Sequence, residues 1–573
     1  MHTPHFYQAR LMNIFSTCAE MMIYVDEQIS NDKNSAYVIS AMKEIDDCWD
    51  TDPVAQDLLS DVVGLRAAIS KRVQNGELGA GTLGRLRVFC RAILSRHESY
   101  ASALLEALEE AVVGPAELTQ RDRITAQIDQ LTGLYITHLL GRGYSPTYLF
   151  NRADMFCYEK NYSGRSFPDQ FRLITERLQS HKISFDVYFG ISTNRPRIFS
   201  DVKDDPDFSF LAKIPDEIQG TNREKLEKNI EINLVAKAAI EATDHVSAAL
   251  RTKERLDRFL DAATALELKT NIQVSAHCVV IYQTQNFTYK QTLNVDMLLA
   301  FMSSEVGSSF SDAPTSIRQM LRGLNNSATD QLERSLRYLR LARYSVSLEQ
   351  KLLNLWIALE SLFGEFEGGI LNGILEYLPQ LYATTGLARR VAYLRNLLAS
   401  NDIAMTDLVR SVLSVDSDNF DKTTTDQQVF ALLKNEKSAI DLFNNLGDKE
   451  HLKFKLMKIF LEFKDNKAIK NRLEKSEGDV ARQLRRIYFL RNKIAHAGHY
   501  KGVRPQLVTH LLDYIAVAYR AISNASSRAK EGSTYSIGEL LTASRMGVDV
   551  VVDRANSKEQ ISTLDQIIAI PLI

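Results

Sequence analysis

The segment "RRIYFLRNKIAHAGHY", residues 485–500, combines the apolar rhythm of a buried helix with arginines, histidines and an asparagine. At about 100° per residue, one helical stripe collects apolar side chains, namely Leu484, Ile487, Leu490 and Ile494. A second stripe, roughly opposite, collects Arg485, Tyr488, Asn492, His496 and His499. Arg491 flanks this second stripe. The segment therefore predicts a helix with one packing face and one face of donors and titratable groups.

Two interpretations of the polar face are open. It can be a solvated surface, with His496 and His499 favoured by the helix macrodipole and Gly498 ending the helix. It can also be a functional array. The spacing of Arg491 and His496 does not decide between them, because an arginine and a histidine with four residues between them are expected about once by chance in a chain this long.

Composition predicts a globular chain of roughly three domains, since it has 573 residues, of which 45% are hydrophobic and 24% charged. Its net charge of -2 does not decide for or against a nucleic-acid partner, which needs a local basic surface. The cysteines are scattered without a CxxC pair, so reduced thiols are expected. We expect neither a signal peptide nor a membrane helix of about 18 apolar residues, and hence a cytoplasmic protein without membrane association.

The pattern along the chain predicts a mainly α protein with a mixed α/β middle region. Residues 1–158 are predicted to be helical. Residues 159–325 are predicted to be mixed, with strands in "ISFDVYFGIS" (183–192) and "NIQVSAHCVVIYQT" (271–284) and helix throughout residues 222–266. Residues 326–527 are predicted to be helical, including an acidic segment, after a linker in residues 303–316. Residues 528–573 form a tail with a strand-like run, "GVDVVVDRA" (547–555).

Two short sequence patterns resemble ligand-binding motifs but do not predict a binding site. "GAGTLG", Gly79–Gly84, matches a dinucleotide fingerprint, but helical sequence precedes it where that fingerprint needs a strand, so we predict a loop. His277 and Cys278 are adjacent in a predicted strand and face opposite sides of a sheet. No second pair completes a metal shell, so no metal site is predicted, and these two side chains are expected to serve packing and surface.

Two motifs resemble those of a known family. "YFLRNKIAHAG", residues 488–498, is similar to the HEPN signature Y-x-x-R-N-x-x-x-H-x-G, and "NLWIALESLFG", residues 354–364, resembles the second helix of the Apea-like HEPN group. The resemblance covers residues 326–527, with the acidic stretch as an insertion. It implies an all-α bundle and a metal-independent ribonuclease without a cofactor, of the kind found in bacterial toxins and in antiviral abortive-infection systems.

The residue chemistry fits that implied activity. RNA carries its own nucleophile, the 2′-OH, so cleavage needs proton transfer and stabilisation of phosphoryl charge. His496 is the candidate acid-base residue and Arg491 the candidate for transition-state stabilisation. Asn492 would hold the imidazole or a phosphate oxygen, and Tyr488 and His499 would support the site. The predicted RNA-binding residues are Arg485, Arg486, Lys493 and Lys501.

Glu360 shares a helix face with Leu353, Trp356 and Phe363, and a carboxylate on an apolar face needs a partner. We expect it to orient Arg491 or another basic group of the signature helix. The alternative is a carboxylate at the rim of the core that reaches solvent.

Residues 481–530 contain ten Lys and Arg against one acid, Asp513. Such a basic segment favours phosphate binding. The alternative is a patch that pairs with the acidic segment "SVDSDNFDKTTTD" (414–426). In that case the acidic segment could mask an RNA-binding surface.

The predicted function is an endoribonuclease that acts on RNA as a homodimer or higher oligomer. Its N-terminal part would sense infection or restrain cleavage, with a phage-derived trigger or a cognate inhibitor as further partners. Two other classes stay open: a non-catalytic HEPN scaffold or sensor that binds nucleotides or RNA, and a helical interaction protein with no nucleic-acid role.

Overall fold

The computed structural model describes residues 12–31, 35–114, 121–179, 182–194, 196, 199, 208–263, 272–283, 287–301, 323–345, 347–364, 366, 369–497, 503–528, 530 and 533–573. The chain forms two compact units. Unit 1 comprises residues 1–114 and 130–301, and unit 2 comprises residues 115–129 and 302–573. The predicted linker at residues 303–316 lies outside the described residues. The protein is mainly α-helical, as predicted, with a small antiparallel sheet in unit 1.

Helices form most of the first half of unit 1, in agreement with the predicted helical region. They are α1 (Ile14–Asn31), α2 (Ser35–Asp50), α3 (Pro53–Leu58), α4 (Val63–Gln74), α5 (Ala80–Leu94), α6 (His97–Val113), α7 (Arg121–Arg142), α8 (Pro146–Arg152), α9 (Asp154–Cys157) and α10 (Phe167–Gln179). Of α7, residues 121–129 belong to unit 2. Because α4 precedes "GAGTLG" and α5 begins at Ala80, this stretch is not the strand-to-helix turn of a dinucleotide site. The predicted loop is wrong in its extent, since most of the stretch lies in the first turns of α5.

The sheet contains five strands in the order β2-β3-β1-β4-β5. The strands are β1 (Ile183–Thr193), β2 (Ser209–Leu211), β3 (Leu234–Ala242), β4 (Ile272–Gln283) and β5 (Thr288–Asn294). Short helices α11 (Thr221–Leu226) and α13 (Val295–Leu298) and the longer α12 (His245–Ala263) complete unit 1. The predicted continuous helix over residues 222–266 is wrong, because β3 interrupts it and pairs with β1 from Ile183↔Ala242 to Ile191↔Leu234.

The described residues of unit 2 are helical apart from short irregular segments. They are α14 (Asn326–Tyr344), α15 (Leu348–Leu362), α16 (Ile370–Ser400), α17 (Asp407–Leu413), α18 (Asp426–Lys434), α19 (Glu436–Asn445), α20 (Glu450–Phe463), α21 (Asn466–Ala497), α22 (Pro505–Arg528) and α23 (Ile537–Asn556). The acidic segment was predicted to be helical, but between α17 and α18 it has no regular structure apart from a bridge between Ala404 and Asn419.

The C-terminal segment is also helical, which corrects the strand-like prediction for "GVDVVVDRA". Helix α23 begins with a capping box, in which Ser536 and Glu539 each satisfy a backbone N–H of the other. Val548 and Val551 are buried, and α23 packs against α16, α21 and α22. Residues 537–556 are thus part of the helical core of unit 2 and not a tail. Within the described ranges, no helix is both long and apolar enough to cross a membrane.

Candidate active site

Helix α21 carries the signature segment, and its packing face agrees with the prediction. Leu484, Ile487, Leu490 and Ile494 are all buried, with relative exposures of 0–6%. The helix packs against α15, α16, α20, α22 and α23. At its first turn the Asp465 carboxylate accepts a hydrogen bond from the Ala468 N–H. This burial fixes the rotation of α21 and therefore the direction of its polar side chains.

Helix α15 supplies the second motif and lies against α21. It begins where Ser347 caps the Gln350 N–H, and it buries Trp356 completely. The Trp356 and Tyr488 rings pack with centroids 5.5 Å apart and tilted by 48°. This aromatic contact was not predicted. Its signal was present in the sequence, because Trp356 lies one turn before Glu360 and Tyr488 one turn before Arg491, so each aromatic shares a helix face with one ionic partner.

The central contact of the site is an ion pair between Arg491 and Glu360. Arg491 Nη2 donates to Glu360 Oε2 at 3.1 Å, and the two side chains are 26% and 14% exposed. The expectation that Glu360 pairs with Arg491 or another basic group of the signature helix is therefore confirmed, with Arg491 as the partner. Because both groups are largely shielded from water, the pair holds the guanidinium in a defined place at the boundary of the core.

Asn492 extends this contact along α21. Arg491 Nη1 donates to Asn492 Oδ1 at 3.0 Å, so the guanidinium is held by an acceptor on each of its terminal nitrogens. Asn492 lies one turn before His496, a spacing that puts Cβ atoms about 5–6 Å apart. His496 is exposed in the last turn of α21. The order along this surface is thus Glu360, Arg491, Asn492 and His496.

Arg491 and His496 do not point in the same direction. They are five positions apart on α21, which corresponds to about 140° around the helix axis. Asn492 lies between them in angle and makes a hydrogen bond to Arg491. A single copy of this helix therefore presents the guanidinium and the imidazole on neighbouring faces.

The predicted RNA-binding residues divide into three groups. Arg485 and Lys493 are partly exposed, and Lys493 lies over the Phe489 ring at 5.6 Å. Lys501, like the supporting residue His499, lies outside the described residues. Arg486 is only 7% exposed, which is incompatible with the predicted surface contact with RNA.

The burial of Arg486 has a simple helical cause. It lies about 40° from Leu490 around the helix axis, so it borders the packing face. The charge of Arg486 acts on His510 of α22. Burial lowers the pKa of His510, the buried Asp513 carboxylate opposes this shift, and the positive charge of Arg486 adds to it. Arg520 is also partly buried, and this burial lowers its pKa. The predicted basic surface of residues 481–530 is therefore only partly at the surface.

In the described part of the chain, no group of three or more His, Cys, Asp or Glu side chains is arranged to hold a metal ion. Comparisons with models of protein families, with curated proteins and with solved structures gave no match to this chain. A functional assignment consequently depends on the geometry of the site and on the chemistry of its residues.

Proposed function

We propose that unit 2 is an endoribonuclease of the HEPN type that cleaves RNA without a metal ion, with residues 326–527 as its HEPN bundle. The observation that supports this most is the guanidinium of Arg491, held by Glu360 and by Asn492, which itself lies one turn before the exposed His496. A surface that served only solubility would not need an arginine fixed by two acceptors on the same helix as an exposed histidine.

The reaction uses groups of this chain and of the RNA alone. A neutral imidazole of His496 accepts the proton of the 2′-OH, whose oxygen attacks the adjacent phosphorus. The bond from phosphorus to the 5′ oxygen breaks, and that oxygen takes up a proton from an imidazolium. Two of the five N–H donors of Arg491 are occupied by Glu360 and Asn492. The Nε–H of Arg491 is buried, so the second N–H of each terminal nitrogen is the donor suited to phosphoryl oxygens on which negative charge develops.

A second candidate function is a HEPN scaffold that binds RNA or nucleotides without cleaving them. The ion pair itself favours this alternative, because Glu360 neutralises Arg491 in the described conformation and a purely structural pair would have the same geometry. A scaffold function, however, does not explain the exposed His496. RNA binding by the wild type without any cleavage activity would indicate the scaffold.

The biological role that we propose is antiviral defence by abortive infection, or action as a toxin. Cleavage of cellular RNA stops growth, so such an enzyme needs restraint until a phage-derived trigger appears or a cognate inhibitor is lost. This part of the proposal rests on the resemblance of the two motifs.

The products of the reaction test the proposed mechanism directly. Attack by the 2′-OH should leave a 2′,3′-cyclic phosphate, or its hydrolysed monophosphate, on one fragment and a 5′-OH on the other. EDTA should not slow the reaction. Mass spectrometry of the ends of a defined RNA distinguishes this outcome from 5′-phosphate ends with EDTA sensitivity, which would indicate a two-metal nuclease and contradict the proposal.

We also propose that the active enzyme is a homodimer or higher oligomer. Within one subunit Arg491 and His496 are separated by about 140° around α21, and one His496 cannot be both proton acceptor and proton donor in one step. Two copies of α21 related by a two-fold axis would supply two imidazoles and two guanidinium groups to one phosphodiester. Like charges facing each other would weaken this association without RNA and make it sensitive to salt.

Mixing subunits tests the shared site. An excess of His496→Ala protein added to wild type should lower cleavage per wild-type subunit, because mixed dimers carry one imidazole. Light scattering on the same samples reports the oligomeric state. A strictly monomeric wild type with full activity, unchanged by the added variant, would rule out a shared site.

A further inference from the structure

A bulge in the sheet of unit 1 lies next to a cleft that the proposed RNA site does not involve. Strands β1 and β4 are in register at Phe189↔Cys278 and again at Ile191↔Val274. Between these pairs β1 has only Gly190, whereas β4 has Ser275, Ala276 and His277. Against β1, strand β4 thus has two extra residues, although His277 stays in register with Asn294 of β5. Bulges often redirect side chains at functional sites.

Hydrogen bonds hold the bulge in place. Ser275 is buried, and its Oγ donates to the Leu226 carbonyl at 2.7 Å and accepts from the His277 N–H at 3.2 Å. The bulge is thereby tied to the end of α11. The turn after α11 continues through Asn229, which has a φ of 64°, a left-handed conformation that asparagine adopts more readily than most residues.

The bulge, this turn and the start of α13 enclose an open cleft of ≈ 450 Å³. Its walls include Lys228, Asn229, Gln273, His277, Asn294 and Asp296. The volume lies in the range of about 300–1,000 Å³ that is typical of small-ligand sites. The amide side chains offer both donors and acceptors, so the walls can match a ligand with several polar groups.

His277 is one of the residues that line this cleft. Its Nδ1 is buried and has no hydrogen-bond partner among the described residues, whereas Cys278 is fully buried. Burial lowers the pKa of His277, the charges of Lys228 and Lys225 add to this shift, and Asp296 opposes it. The walls of the cleft thus place one cation, Lys228, and one anion, Asp296, near the imidazole, a combination that suits a ligand with both an anionic group and polar donors.

We propose that this cleft binds a nucleoside monophosphate, with Lys228 and His277 at the phosphate and Asn229, Gln273, Asn294 and Asp296 around the polar body. A phosphate monoester suits two basic side chains, because it combines negative charge with several acceptor oxygens. The carboxylate of Asp296 suits hydroxyl or amino donors, which a nucleoside carries. The site lies wholly in unit 1 and does not depend on RNA cleavage by unit 2.

Isothermal titration of the full-length chain with AMP, GMP, CMP and UMP tests this proposal. The His496→Ala variant is used throughout, so that the candidate site of unit 2 is altered in every sample. At least one nucleotide should bind saturably below about 1 mM, the weak end of specific binding. Adenosine or the matching nucleoside should bind at least ten-fold more weakly, and inorganic phosphate should compete.

A charge-reversal pair provides the control. Lys228→Glu should weaken nucleotide binding at least ten-fold, whereas Lys213→Glu reverses an equally exposed lysine of unit 1 that does not line the cleft and should leave binding unchanged. His277→Ala should weaken binding as well. No binding of any of the four nucleotides, equal binding of the nucleoside, or equal effects of the two lysine variants would overturn the proposal. Failure here would leave the RNA-cleaving proposal untouched, since that is measured by RNA products.

Discussion

Replacing His496 by alanine should lower the rate of RNA cleavage by about 10²–10⁴-fold, the usual contribution of a positioned acid-base residue. The free energy of unfolding should change by less than about 1 kcal/mol, because an exposed histidine in the last turn contributes little beyond its interaction with the helix dipole. The combination of a large catalytic loss with unchanged stability distinguishes a catalytic role from a structural one.

Cleavage of a defined RNA and urea unfolding followed by circular dichroism measure the two quantities on the same preparations. His451→Ala serves as the matched control, since His451 is likewise an exposed histidine of unit 2 but lies on α20, away from the signature motif. We expect it to cleave at the wild-type rate. Equal rates for His496→Ala and wild type would show that His496 is not the acid-base residue.

Arg491 requires a different control because it has a structural role, the ion pair with Glu360, in addition to its proposed role in catalysis. Arg491→Ala should abolish cleavage and also lower the free energy of unfolding by about 1–3 kcal/mol, since the largely buried Glu360 carboxylate loses its charged partner. Glu360→Ala should cost a similar amount, and the double variant should cost less than the sum. Arg491→Lys keeps the positive charge but lacks the planar set of donors of a guanidinium. If this variant loses activity and keeps its stability, the lost activity is due to recognition of the phosphate by the guanidinium.

The signature helix was predictable because its signal is local. Four large apolar residues at helical spacing leave few ways to bury them, and the structure buries all four. That Glu360 needs a cationic partner could be expected for an energetic reason, since it is a carboxylate beside Trp356 on an apolar face. The sequence did not decide which basic group of the signature helix would be that partner. Neither conclusion required knowledge of distant contacts.

The errors arose where distant contacts decide. Residues 234–242 contain several Ala together with Leu, Lys and Glu, which all favour a helix. They nevertheless form β3, because β1 and β2 pair with them on either side. Arg486 was assigned to the surface because of its charge, but a residue at the edge of a packing face can be covered by a neighbouring helix. For residues 547–555 the valines suggested a strand. The capping box at Ser536 and Glu539 was the local sign of the helix that forms.

Ile494→Asp should unfold unit 2 or destabilise it by more than about 4 kcal/mol, the range reached when an unpaired charge is placed in a core. Ile494 is 5% exposed and lies on the packing stripe of α21. Its neighbour Ala495 is exposed, so Ala495→Asp adds the same carboxylate to the same helical turn without burying it. That control should cost less than about 1 kcal/mol, the size of an unfavourable interaction between an anion and the C-terminal end of a helix.

Urea unfolding of the two full-length variants, followed by circular dichroism, measures their free energies of unfolding. The comparison tests whether the apolar stripe of α21 faces the core. We expect a large difference in stability between the two variants, because the side chains of adjacent helical residues point about 100° apart. The side chain at position 494 therefore faces the core, whereas the one at position 495 faces solvent. If Ile494→Asp were as stable as Ala495→Asp, the apolar stripe would not face the core. The directions inferred for Arg491, Asn492 and His496 would then be wrong as well, because all three depend on the same rotation of the helix.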